Sequence, residues 1–206
     1  MKTVNISEAV IRRLPIYLRF LVHLQNMGIK TVSSQELGQK LDINPAQIRK
    51  DLAYFGEFGR KGIGYEVQYL IEKIKQILKL DQIINVCLVG AGHLGHALSN
   101  YNVYQKDNMK IVAIFDADPQ KIGTKIAGLT ILPVEAIPET VKEKKIRVGI
   151  IAVPAPEAQK VAEILVEAGI EGILNFAPVS LRNTGKVRIH HADFTTELHS
   201  LAYYLE

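Results

Sequence analysis

Residues 83–95 read Ile83-Ile84-Asn85-Val86-Cys87-Leu88-Val89-Gly90-Ala91-Gly92-His93-Leu94-Gly95. An apolar run of strand length ends in three glycines spaced Gly-x-Gly-x-x-Gly. The spacing alone is weak, but its context strengthens it: a strand precedes, a helix follows through Leu98, and Asp116 ends the next strand 21 residues after Gly95. That separation is close to the ~20 residues of a dinucleotide-binding βαβ unit. The first glycine permits the tight turn, the second lets backbone approach a pyrophosphate, and the third lets the helix pack on the strand. The helix amino terminus offers free N–H groups to the anion. The Asp116 carboxylate can accept from both ribose hydroxyls and repels a 2′-phosphate, which favours NAD(H) over NADP(H). The competing reading is a tight βα turn that binds nothing.

Beyond the loop, short apolar runs alternate with amphipathic helices. Strands are expected at 83–89, 111–115, 129–132, 148–153 and 172–176, with a further candidate at 187–190. Between the fourth and fifth, residues 156–168 set Val161, Leu165 and Ala168 on one face, with Glu and Lys opposite. The alternation predicts a parallel sheet covered by helices on both faces. Residues 194–205 read as a helix that leaves the sheet.

Before the loop, the chain reads as short helices. Val10, Leu14, Tyr17, Leu18, Leu21 and Leu24 recur at helical spacing over 7–27, and Pro15 leaves open one kinked helix or two. Ser33 and Glu36 form a capping-box pattern, so a helix follows to about Leu41. Asn44 and Pro45 are a cap and a first helical residue, which starts a helix running to about Phe55. Two short helices joined by so tight a turn make a helix-turn-helix. Four glycines between Gly56 and Gly64, around Arg60 and Lys61, read as a β-ribbon wing. Tyr69, Leu70, Ile74, Ile77 and Leu78 supply the stripe of a joining helix. Gln47, Arg49 and Lys50 lie just past the start of the third helix, where a recognition helix reaches major-groove edges and phosphates. Ser33 and Ser34 can donate to phosphate, and Arg60 and Lys61 reach backbone or minor groove. A solvated basic face on a protein-interaction domain is the blander alternative.

Charge divides the same way. Residues 1–80 carry 13 Lys+Arg against 7 Asp+Glu, while 81–206 carry 12 against 14, within a total of +4 over 206 residues. A basic module that meets a polyanion, joined to a near-neutral one, fits this asymmetry. The apolar fraction of 48% excludes a disordered chain, and one cysteine excludes an internal disulfide and a cysteine-based metal site. Neither a signal peptide nor a membrane span is apparent, so cytoplasmic residence is expected. His93 and His96 flank the last motif glycine and read as loop or surface residues, not acid–base catalysts. His190 and His191 face opposite ways in a strand, and no metal is expected.

Ile48-Arg49-Lys50-Asp51-Leu52-Ala53-Tyr54-Phe55-Gly56, then Gly62-Ile63-Gly64-Tyr65, the Gly90–Gly95 loop and Gly172-Ile173-Leu174-Asn175-Phe176-Ala177-Pro178 stand in one order over nearly the whole chain. In this the chain closely resembles the Rex family of bacterial redox-sensing repressors. The resemblance implies an α/β protein: an amino-terminal winged helix-turn-helix domain (1–80), a Rossmann doubly wound parallel sheet (81–191) and a carboxy-terminal domain-swapped helix (192–206). It implies a homodimer that binds a palindromic operator and releases it when NADH binds, whereas NAD+ competes without causing release.

The resemblance also distributes roles. Gly90, Gly92, Gly95 and Asp116 fall to the dinucleotide, beside which Ala91, His93 and Leu94 are expected as members of the same loop, and Arg49, Lys50, Arg60 and Lys61 fall to DNA. Tyr101, Val153, Pro154 and Phe176 lie near the cofactor, and Asp193 and Phe194 lie by the partner's cofactor. Arg19 pairs with Asp193 in one state. Reduction removes the nicotinamide's positive charge, so an aromatic pocket should accept the reduced ring at lower desolvation cost. The rival readings are a small NAD-dependent dehydrogenase, for which no proton-transferring group is evident, and a coenzyme A binding domain, against which Asp116 argues.

Overall fold

A computed structural model of the chain describes residues 6–56, 58–60, 63–104, 108–182 and 187–205. The chain divides into two compact units, Met1–Gln82 and Ile83–Glu206.

The first unit runs α1 (Glu8–Asn26), β1 (Thr31–Val32), α2 (Ser34–Leu41), α3 (Pro45–Ala53), β2 (Gly59–Arg60), β3 (Gly64–Glu66) and α4 (Val67–Ile77). α1 is one helix with Pro15 inside it, held by a buried stripe of Val10, Leu14, Tyr17, Leu21 and Leu24. The burial of that stripe offsets the backbone hydrogen bond that proline cannot donate.

Ser33 Oγ accepts from the Glu36 N–H at 3.1 Å, and Glu36 accepts from the Ser33 N–H at 2.7 Å, so the capping box forms in both directions. Asp42 ends α2 in the left-handed conformation. Asn44 Oδ1 then accepts from the Ala46 N–H at 2.8 Å and starts α3. β2 and β3 pair antiparallel as the expected wing, and β1 joins the other edge of β3. The α4 stripe differs from expectation: Val67, Leu70, Ile71 and Ile74 are buried, whereas Tyr69 is exposed beneath the Lys73 ammonium, which lies 5.5 Å from its ring.

The second unit runs β4 (Ile84–Val89), α5 (His93–Tyr104), β5 (Met109–Asp116), β6 (Lys125–Ile126), β7 (Leu129–Pro133), a 3-10 turn (Val134–Ala136), α6 (Ile137–Glu143), β8 (Ile146–Ile151), α7 (Ala155–Glu167), β9 (Gly172–Asn175), β10 (Arg188–His191) and α8 (Phe194–Ala202). The strand order is β10-β9-β8-β4-β5-β7-β6, parallel throughout except for the β6–β7 hairpin. With the hairpin strand set aside, this is the doubly wound order 3-2-1-4-5-6, and its switch point lies between β4 and β8.

Val86, Cys87, Leu88 and Val89 are all buried, as a central strand covered on both faces requires. Burial pushes the Cys87 thiol up to about 12, so it stays protonated and unreactive. β8 ends at Ile151, two residues before the expected boundary, which puts Val153 and Pro154 in the loop beyond the strand. α8 buries no residue and leaves Phe194, Leu198 and Leu201 exposed.

Candidate functional site

A cleft of about 1150 Å³ opens at the carboxyl ends of β4, β5, β7 and β8, the switch point of the sheet. Gly90 turns the chain out of β4 with φ +107°, and a Cβ there would lie 2.3 Å from the Ala152 carbonyl oxygen. At Gly95 a Cβ would lie 2.0 Å from the Gly90 carbonyl oxygen, so α5 reaches the strand only without one. Gly92 is different: it lines the cleft, and a Cβ would meet nothing within 4 Å. The contacts at Gly90 and Gly95 are the turn and packing roles that the spacing implied. The His93, Leu94 and Gly95 N–H groups precede the first backbone bond of α5, which the His96 N–H makes to the Gly92 carbonyl at 2.9 Å, so this helix end can accept an anion.

Asp116 closes the cleft from β5. Its carboxylate accepts from the Ala91 N–H at 2.7 Å, from the Asp118 N–H at 2.8 Å and from Lys121 Nζ at 3.3 Å. Burial alone would raise its pKa, but those backbone donors and Lys121 outweigh it and hold the carboxyl below its ordinary value. The acid therefore ties the glycine loop to the strand end while facing the cleft. Lys121 was not evident in the sequence; its signal is a basic residue five positions after the strand-ending acid.

Gly90, Gly92, His93, Leu94, Asp116, Val153 and Pro154 all line the cleft. Ala91 and Gly95 stand behind it, buried. Tyr101 and Phe176, expected near the cofactor, do not line it, and neither does Phe194, which the resemblance places by the partner's cofactor. Tyr101 is 64% exposed on α5, and Phe194 is 76% exposed at the start of a helix that buries nothing. Phe176 is half-buried, with its N–H donating to the Ile151 carbonyl. Asn175 holds the turn beneath it: its Oδ1 accepts from the Ala177 N–H at 3.0 Å, and its Nδ2 donates to the Val179 carbonyl at 2.8 Å. That amide also lies 3.1 Å from His191 Nδ1. Asp193 caps α8, accepting from the Thr195 and Thr196 N–H groups and from the Thr196 hydroxyl. Arg19 is exposed on α1.

In the first unit, α2 and α3 pack as a helix-turn-helix. Arg49 and Lys50 are exposed on α3, and Arg49 Nη1 donates to Ser34 Oγ at 2.9 Å. Ser33 is engaged in the capping box. Gln47 is half-buried, and its amide donates to Asp51 Oδ1 at 2.6 Å. The physical reason is Asp51, fully buried on α3 and therefore in need of donors. Arg13 supplies two parallel hydrogen bonds of 2.6 and 2.8 Å, and the Tyr17 hydroxyl a third of 2.7 Å. Burial would raise the Asp51 pKa, but these partners overcome it and hold the carboxyl low, and burial with Asp51 drives the Tyr17 hydroxyl well above its ordinary range. The backbone of Arg60 is in β2, and Lys61 lies outside the described residues. Among the described residues no cluster of three metal-ligating side chains occurs, and no helix is long and apolar enough to cross a membrane.

The family described as "Putative DNA-binding protein N-terminus" matches residues 5–53, and "CoA binding domain" matches residues 81–179. The chain is 63% identical to the "Redox-sensing transcriptional repressor Rex" of Brevibacillus brevis, over 98% of this chain and 97% of that one. It is 47% identical to the protein of the same name from Desulforamulus reducens, over 100% and 98%. Among solved structures, RSP in complex with beta-NAD+ and operator DNA superposes with a TM-score of 0.91 at 38% identity, covering 98% of this chain and 93% of that one. RSP in complex with beta-NADH superposes at 0.87 and 37%, covering 98% and 95%.

Proposed function

The chain belongs to the Rex family of redox-sensing transcriptional repressors, and from that premise we propose that it binds a palindromic operator as a homodimer and releases it when NADH enters the switch-point cleft. The observation that carries this reading is the joining, in one chain, of a helix-turn-helix bearing exposed Arg49 and Lys50 to a Gly90–Gly95 cleft closed by Asp116. The relatives are named as repressors, which disfavours the dehydrogenase. The match to a CoA binding domain covers a sheet that dinucleotide binders share, and Asp116 at the ribose edge favours NAD(H).

Fit of the dinucleotide rests on the glycines: Gly92 leaves open space where backbone must approach a pyrophosphate, and His93 and Leu94 at the start of α5 line the same cleft. Asp116 holds the ribose, and Val153 and Pro154 line the side of the cleft toward β8. The bound group supplies no reaction here; it differs between oxidised and reduced forms by the charge of one ring. Exposed Tyr101 and Phe194 are aromatic surfaces that a second copy can bring to that ring, and the apolar, unburied α8 is suited to exchange between subunits. Re-pairing Asp193 with Arg19 would draw on the carboxylate that caps α8, and so couple cofactor state to dimer arrangement. Such a signal requires NADH to favour one arrangement over another, because equal affinity for both shifts nothing.

The DNA half of the reading is tested on a palindromic duplex selected from random-sequence DNA by the wild-type chain. Titration should end at two chains per duplex. Arg49→Ala should weaken binding by roughly 1–3 kcal/mol, as loss of a base-reading arginine does. Wild-type affinity in that variant would remove Arg49 from the contact set, and an end point of one chain per duplex would remove the dimer.

A further inference from the structure

Helices α1 and α3 meet through long side chains: α1 lies closely along α4, and α3 along α2, while Arg13 and Tyr17 of α1 reach Asp51 of α3. Both Asp51 oxygens are saturated, Oδ2 by Arg13 Nε and the Tyr17 hydroxyl, Oδ1 by Arg13 Nη2 and Gln47 Nε2. A bidentate guanidinium–carboxylate pair fixes a plane as well as a distance. The apolar contacts of Ile48 and Leu52 in the same core are non-directional and tolerate small rotations.

Helical geometry then sorts the residues of α3. At ~100° per residue, Gln47 lies ~40° from Asp51 around the helix, whereas Arg49 lies ~160° away on the opposite face. Fixing Asp51 inward therefore draws Gln47 inward and turns Arg49 out, and α3 is only nine residues long. We propose that Arg13, Tyr17 and Asp51 form a clamp that sets the rotation of α3 about its own axis, so that α1 and α3 turn as one body and Arg49 and Lys50 face the groove while Gln47 is held back. Arg13 is thus a cation of the basic half that does not serve phosphate. The proposal rests on reading α3 as the recognition helix, and it makes Arg13, Tyr17 and Asp51 positioning residues.

The test separates orientation from stability. Arg13→Met, Tyr17→Phe and Asp51→Leu together remove the charges and hydroxyl while keeping apolar volume, a replacement that buried ion networks tolerate without loss of stability. Full-length wild type and triple variant are compared for affinity to the selected palindrome and to a scrambled duplex of equal length, with circular dichroism and NADH affinity as controls. The clamp predicts a folded variant with wild-type NADH affinity whose preference for the palindrome falls about tenfold or more, the scale of one base-reading pair. The slope of log affinity against log salt should not change, because no phosphate contact is removed.

A folded triple variant that keeps its preference within about twofold overturns the clamp, since that is less than one base-reading pair is worth. If the triple variant does not fold, Arg13→Lys decides. It keeps the charge but loses the paired geometry, and a preference equal to wild type overturns the proposal. A wild-type chain that selects no palindrome defeats the reading of α3 itself; one that selects a palindrome which the variants still prefer defeats only the clamp.

Discussion

Replacing Gly95 with alanine is expected to lower the melting temperature of the second unit by ~10 °C, whereas Gly92→Ala leaves it unchanged and weakens NADH binding about 100-fold. The two glycines belong to one motif, but their surroundings differ. A methyl group at Gly95 would stand 2.0 Å from the Gly90 carbonyl oxygen, which is backbone and cannot rotate aside. α5 must move off β4, and the overpacking costs about 3 kcal/mol. A methyl group at Gly92 meets no protein atom within 4 Å. It projects into space that the cofactor's pyrophosphate must approach, so it should spare folding and obstruct binding. Thermal melts and NADH fluorescence titrations of both variants check this. Equal melting losses would contradict the packing difference between the two glycines, and wild-type NADH affinity in Gly92→Ala would show that the loop does not cradle the dinucleotide.

Asp51→Ala is the second large effect. Removing one member of a buried ion pair costs roughly 3–5 kcal/mol, and the lower end applies here because Arg13 keeps a quarter of its side chain in solvent. The loss should depend on pH in a defined direction. The folded-state pKa of Asp51 is depressed, so its contribution is present above the unfolded value of about 3.9 and disappears as pH falls through the folded value. Urea unfolding followed by far-ultraviolet circular dichroism, at neutral pH and near pH 3, should show the gap between wild type and Asp51→Ala narrowing in acid. Asp116, also depressed, contributes acid lability to both proteins and cancels in the difference. A gap of equal size at both pH values would mean that the carboxylate's charge does not stabilise the first unit.

The sheet was legible because its central strands are buried on both faces, and continuous apolar runs such as Val86–Val89 are what such burial demands. The β6–β7 hairpin was not: β6 has two residues, too few to show alternation. α6 went unseen for a different reason. It is seven residues long, and Pro138 reads as a breaker although it stands in the first helical turn, where proline is tolerated.

The glycine loop and Asp116 could be located because their chemistry is local and their spacing fixed. The Asp51 network could not. Its partners are 34 and 38 residues away, and an aspartate on a short helix reads as surface until an arginine is known to meet it. The Gln47 hydrogen bond is hidden for the same reason, because it follows from an acid whose burial the sequence does not announce. The roles of Tyr101 and Phe194 come from the family resemblance alone, and a single chain leaves both in solvent.

The central claim is that the reduction state of the dinucleotide decides whether the chain holds DNA. The most direct measurement is fluorescence anisotropy of the labelled, selected palindrome with the full-length chain, titrated with NADH and separately with NAD+ at fixed salt. NADH is expected to weaken DNA binding by about tenfold or more, the scale of a coupling of 1–3 kcal/mol, whereas NAD+ alone leaves it nearly unchanged. Equal responses to the two forms, or none to either, would contradict it.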